Sequence, residues 1–223
     1  MLFPLLAAAL SAAAGPGAPV DCAGYYYFAN GRRIETVTLD AGGSVKNRKL
    51  MTVQAGQVTP RSATALLTTR SLDTREPVTT SEARCENGDL LLDLTGSLPS
   101  QKEALSSRRP VLLRYPGGMR VGDALESRVD FDLDGETRGR AMKVRFNLSD
   151  RRVRAFETID TPQGRKQAFV IRSTLNVSFR VIGIAIPMRY ELVEFFVPGL
   201  GVMRTEAEEK GRPVERSPVR FLN

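Results

Sequence analysis

The chain has 223 residues, 42% of them hydrophobic, with no histidine, no tryptophan, two cysteines and a formal charge of +7. That is enough apolar chain for one folded core and too much for a disordered segment. The missing imidazole excludes a Ser-His-Asp triad, a Cys-His dyad and any zinc centre that needs histidine, and two thiols are too few for a cysteine zinc site.

Residues 1–14 carry no charged side chain; an apolar run over 2–10 fades into Ser11, Ala12, Ala13 and Ala14. A hydrocarbon layer of about 30 Å takes roughly 20 apolar residues to cross, so the run reads as a secretory signal, cleaved after Ala14, although no lysine or arginine precedes it. The expectation is export to the periplasm or cell envelope of a bacterium, with no transmembrane helix in the mature chain. Cys22 follows Pro19, Val20 and Asp21, whereas a lipidated cysteine wants an aliphatic and then two small residues ahead of it. This favours a Cys22–Cys85 disulfide in an oxidising compartment; lipidation of Cys22 and two unrelated buried thiols are the alternatives. The bridge would close a 64-residue loop, for which chain entropy gives on the order of 4 kcal/mol.

Beyond Gly31 the dominant signal is a period of two. Arg128, Val129, Asp130, Phe131, Asp132 and Leu133 alternate charged and apolar without a break, and Met142, Val144, Phe146 and Leu148 alternate with Lys143, Arg145 and Asn147. Such alternation places one face of an antiparallel sheet on a core and the other in water. In chain order, strands are expected over 32–39, 50–54, 63–69, 90–94, 111–114, 128–133, 142–148, 153–159, 166–176, 188–197, 202–208 and 214–221. Turn signals fall between them at Ala41-Gly42-Gly43, Asn87-Gly88, Asp134-Gly135, Pro162-Gln163-Gly164, Pro198-Gly199 and Lys210-Gly211. The one helical candidate of any length in the mature chain is 99–107, with Pro99 suited to a first turn. Roughly a dozen strands at this spacing predict an all-β chain: a single domain over 22–223, its curved antiparallel sheet forming a barrel or half-barrel.

Several segments together resemble the TapB-like family of exported β-rich bacterial proteins. Asp21-Cys22-Ala23-Gly24-Tyr25-Tyr26 is followed by Cys85-Glu86-Asn87-Gly88, an apolar strand and Leu98-Pro99. Met119-Arg120-Val121-Gly122-Asp123-Ala124-Leu125 is similar to that family's entry to a strand. Glu157-Thr158-Ile159-Asp160-Thr161-Pro162-Gln163-Gly164 is similar to its hairpin, and Phe196-Val197-Pro198-Gly199-Leu200-Gly201-Val202-Met203 to its proline-glycine corner. Phe195 or Phe196 stands where the family has tryptophan, and Tyr27 where a proline is common. The resemblance implies a β-rich exported domain and no catalytic residue to carry over.

Three local patterns invite a sharper reading. Asp130, Asp132, Asp134 and Gly135 match the first half of a calcium loop, but the ligand expected at its last position is Ala141 and Arg138 stands at its ninth, so the aspartates read instead as the wet face of a strand entering an Asp-Gly turn. Arg108-Arg109, Arg138 with Arg140, and Arg151-Arg152-Arg154 read as a solvated strand face, with anionic envelope material as the alternative partner and no nucleic acid. Val177 to Met188 is apolar except for Arg180 and small residues. It is either ordinary core strand or an apolar ligand lip at a barrel mouth formed by Ile182, Ile184 and Ile186, because Gly183 and Pro187 disfavour a long regular strand.

No nucleophile elbow, P-loop or Ser-x-x-Lys motif is present, and Glu191 and Glu194, three apart on a strand, face opposite sides. The chain therefore reads as a non-catalytic binding or structural module of the envelope, without cofactor or metal. Its expected partner is envelope lipid, another hydrophobic ligand or another envelope protein. The competing reading is a glycan-acting hydrolase using carboxylates from separate strands.

Overall fold

The computed structural model describes residues 20–75, 78–93, 111–126, 128–137, 140–181 and 184–222. The signal expected over 1–14, the helix expected over 99–107 and Ile182 lie outside them. Two single helical turns, Cys22–Gly24 and Tyr26–Phe28, precede twelve strands: β1 (Arg33–Asp40), β2 (Val45–Val58), β3 (Ser62–Ser71), β4 (Thr79–Glu86), β5 (Asp89–Asp93), β6 (Leu112–Tyr115), β7 (Arg128–Thr137), β8 (Arg140–Thr161), β9 (Gly164–Val181), β10 (Ile184–Val197), β11 (Gly201–Glu209) and β12 (Arg212–Leu222). They form one antiparallel sheet, bent into a nearly closed barrel, as the alternation predicts.

The strand order is β6-β5-β4-β3-β2-β1-β12-β11-β10-β9-β8-β7. The first six strands meander away from β1 in one direction. The chain then crosses to the far edge and meanders back, until β12 pairs with β1 from Arg33↔Leu222 to Asp40↔Glu215. The two edges are thus β6 and β7, consecutive in sequence and joined by the segment 116–127.

Two expectations need correcting. Residues 142–148 and 153–159 belong to one strand, β8, and the charged run between them is a bulge with Asp150 at φ 55°. The turn expected at Asp134-Gly135 is absent, because β7 continues through Gly135↔Met142 to Thr137. Strand β4 was not expected: its two threonines, serine, two glutamates and arginine leave only Ala83 and Cys85 as an apolar signal, and both are fully buried. Where the alternation lapses into continuous apolar sequence, at 168–171 and 195–197, the residues are buried on both faces of the sheet.

Candidate functional site

One end of the barrel is closed by the N-terminal segment 20–28. The Cys22 amide donates to the Pro60 carbonyl (3.0 Å), Tyr26 N–H to the Leu200 carbonyl (3.1 Å) and the Tyr25 hydroxyl to the Gly88 carbonyl (2.9 Å). Cys22 is bonded to Cys85 on β4, so the expected disulfide ties this plug to the barrel wall. Asn87 and Gly88 both have positive φ, as a two-residue hairpin turn requires, and a Cβ on Gly88 would stand 2.8 Å from the Val20 carbonyl oxygen. Gly201 has φ +120°, and a Cβ there would lie 2.7 Å from the Tyr27 ring. The plug therefore fits the barrel end only where side chains are missing. Its rings pack inward: Tyr25 against Phe196 and Tyr26 against Phe221, while Phe196 stacks on Tyr115 with centroids 4.9 Å apart.

The seam between the two sheet edges is held by a buried ion pair. Arg151 is 1% exposed. Its guanidinium donates to the Arg114 carbonyl of β6 (3.0 Å), lies 3.3 Å from Glu194 on β10 and sits 4.7 Å over the Tyr115 ring. The Tyr115 hydroxyl donates to the other Glu194 oxygen. Burial opposes the charge on Arg151, but Glu194 and Tyr115 outweigh it and hold the guanidinium protonated. Burial, and then the Glu194 carboxylate, push the Tyr115 phenol well above its ordinary range. Alongside, residues 122–125 bond to the free edge of β8, through Gly122 N–H to the Val153 carbonyl (2.8 Å) and Leu125 N–H to the Arg151 carbonyl (2.9 Å). A backbone patch and one arginine therefore bring the edges together.

The opposite end is different. β10 pairs with β11 only from Glu191↔Glu208 onward, so its first seven residues, 184–190, run past the neighbouring wall by roughly 20 Å at the usual strand rise. With the matching parts of β7, β8 and β9 they make a projecting four-stranded arm. Pro187 is tolerated there because the far side of β10 has no ladder partner at that level. Cross-strand partners share a face: Ile186↔Phe179, Met188↔Val177, Tyr190↔Leu175, Val144↔Phe179, Phe146↔Val177 and Phe131↔Phe146. That common face is apolar. Val144 and Val177 are buried in it, with Phe131, Phe146, Phe179 and Tyr190 packed against them and Phe131 stacked on Phe146 at 4.9 Å. Leu175 packs against this cluster and against the main core alike, so the arm's apolar face continues the barrel interior. At the root of the arm the Ser173 hydroxyl is buried with no hydrogen-bond partner.

The reading of 177–188 as ordinary core strand fails at its second half. Ile184 is 67% exposed, Ile186 53% and Met188 37%, although they share the face of the buried Val177. On the other face of the arm Asp130 and Asp132 of the calcium-like run are engaged along an extended strand. Asp132 takes Arg145 (2.9 Å) and Lys143 (3.4 Å), chiefly the Arg145 bond holding its carboxyl below the usual range, and Asp130 accepts from Asn147.

A family model described as DUF3108-like matches residues 29–215. The chain belongs to the DUF3108-like family. The match runs from just after the plug into β12, so it takes in both the seam and the arm. Two solved structures share the fold of this DUF3108-like chain. One, a candidate exported protein with a YmcC-like fold from Bacteroides fragilis, has 18% identity over 87% of this chain and 96% of its own, with a TM-score of 0.63. The other, a candidate lipoprotein from Parabacteroides distasonis, has 18% identity over 89% and 99% of the two chains, with a TM-score of 0.66. No curated protein matches the sequence.

Within this DUF3108-like sheet the expected residues separate. Cys22 and Cys85 lie at the closed end, while Ile184 and Ile186 lie at the tip of the arm at the other end. Arg151 escaped the sequence reading because it sits in an arginine run that reads as solvated. The bulge between Ser149 and Arg152 shifts the parity of β8, so that Arg151 and Val153 face inward where regular alternation from Leu148 would have turned Asp150 and Arg152 in.

Proposed function

We propose that this DUF3108-like chain is a non-catalytic binding module of the bacterial envelope that holds a hydrophobic ligand, such as a lipid chain, against the apolar face of the β7–β10 arm. The observation that carries the reading is the continuity of that face from the buried Val144 and Val177 to the open Ile184, Ile186 and Met188. Uncovered apolar surface of this kind marks a binding place rather than a finished core. The buried, unpartnered hydroxyl of Ser173 gives the root of the arm a polar point for an amphiphile's head. An envelope location is supported by the descriptions of the two structural neighbours as a candidate exported protein and a candidate lipoprotein. The finer affiliation with the TapB-like proteins belongs to the same proposal. No observation favours the hydrolase reading: Glu194 is buried, but both of its oxygens are engaged by Tyr115 and Arg151.

The experiment is native mass spectrometry of protein purified from its own envelope. The expected result is an apolar molecule co-purifying with the chain. Phe179→Ser, which opens the middle of the apolar face, is expected to weaken binding of an apolar fluorescent probe without unfolding the sheet. A bare polypeptide mass together with unchanged probe binding in that variant overturns the reading.

A further inference from the structure

We infer that the free end of the arm is a membrane-docking element, and that the surface it takes is a bilayer carrying anionic phospholipid headgroups. The inference goes beyond ligand holding, because it concerns the outside of the arm as well as its apolar face. Over 176–190 the sequence contains two arginines, Arg180 and Arg189, and no carboxylate. The two faces of this hairpin separate cleanly. One carries Phe179, Ile186 and Met188; the other carries Arg180 and Arg189, whose cross-strand partners are Ala185 and Asn176.

This face continues onto β8, where Lys143 stands directly opposite Arg180, and onto β7, where Asp132 engages Lys143 and Arg145, so the arginines of β9 and β10 lie on the strands away from the aspartates. Like charges in such a position repel unless an anion lies near them. Lys143 reaches Asp132, whereas Arg180 is exposed and makes no ion pair among the described residues. The Arg189 side chain is 69% exposed even though its guanidinium lies 3.3 Å from Glu191. Exposed aliphatic side chains at a projecting end, with arginines beside them and a phenol, Tyr190, behind them, meet the three layers of a membrane surface in order: acyl chains, anionic headgroups and the interfacial zone. Charge complementarity selects the anionic bilayer over an uncharged apolar partner, and the chain's +7 formal charge acts in the same direction.

The test is co-sedimentation of the purified protein with vesicles of phosphatidylcholine alone or of equimolar phosphatidylcholine and phosphatidylglycerol. Binding is expected to the mixed vesicles only, and to weaken as salt is raised. Arg180→Gln with Arg189→Gln should lower the partition coefficient by on the order of tenfold or more, from roughly 1 kcal/mol per basic residue near an anionic surface. Ile184→Asp with Ile186→Asp should abolish binding while the melting temperature stays that of the parent. Arg165→Gln with Lys166→Gln removes the same charge from exposed positions at the other end of β9 and should leave binding near the parent level.

Equal loss in the Arg165/Lys166 variant reduces the effect to net charge and overturns the inference, as does equal binding to both vesicle types or to neither. A mass of two chains in the ultracentrifuge, lost in the Ile184→Asp/Ile186→Asp variant, overturns it in favour of a second copy on this face. The ligand-holding proposal stands or falls separately. A co-purifying apolar molecule without vesicle binding removes docking alone, and vesicle binding by a chain that carries no ligand removes holding alone.

Discussion

Arg151 is the residue on which the seam depends. A charge taken out of water is tolerated only where partners replace its hydration, and Arg151 has Glu194, the Arg114 carbonyl and the Tyr115 ring around it. Arg151→Ala would leave Glu194 buried and opposed by no cation, and is expected to cost about 3–5 kcal/mol in urea unfolding. Replacing both partners together, Arg151→Met with Glu194→Gln, should cost less than that single change. A double variant that loses as much as the two single ones summed would mean that the residues act independently. Ile184 is the opposite case. At 67% exposure it has little packing to lose, so Ile184→Asp should unfold within about 0.5 kcal/mol of the parent. A loss of several kcal/mol would restore the core reading.

At the scale of elements, the plug and the arm are two different answers to the same problem, an open end of a barrel. The plug closes its end with aromatic rings, main-chain bonds and one covalent tie. Cys85→Ser frees residues 20–28 to leave, and the expected cost is about 2–5 kcal/mol, read as a lower melting temperature. An unchanged melting temperature would mean that the rings and hydrogen bonds hold the plug without the disulfide. The arm leaves its end open: β10 outruns β11, which pairs with it only from Glu191 onward. Within the arm, ladders such as Asp132 with Arg145 and Lys143 keep the wet face soluble, while the other face stays apolar to its tip.

For the molecule as a whole, four of the five tyrosines, Tyr25, Tyr26, Tyr27 and Tyr115, lie inside the barrel, and burial raises the pKa of each above the ordinary 10.0. The folded chain keeps these protons where the unfolded chain gives them up. The stability they confer is therefore complete below about pH 10 and falls as pH rises beyond it. In an alkaline titration, phenolate absorbance from these four should appear together with loss of the far-ultraviolet sheet signal. Four phenolates formed while the sheet stays intact would contradict the packing of the plug.

The all-β class, the approximate strands and most of the turns were legible in the sequence, because alternation reports directly on which side chains face water and positive φ selects glycine or asparagine at tight turns. The Cys22–Cys85 pairing was legible too, since two cysteines have one intramolecular partner each. What only the tertiary structure decided depends on contacts far apart in sequence. The bulge after Ser149 shifts the parity of β8, and that shift, invisible in a run of arginines, turns Arg151 from a wet side chain into the brace of the seam. Likewise Val177 and Met188 are equally apolar and share one face, yet one is buried and the other open. The difference is made by where β11 ends, and no local pattern around either residue contains that information.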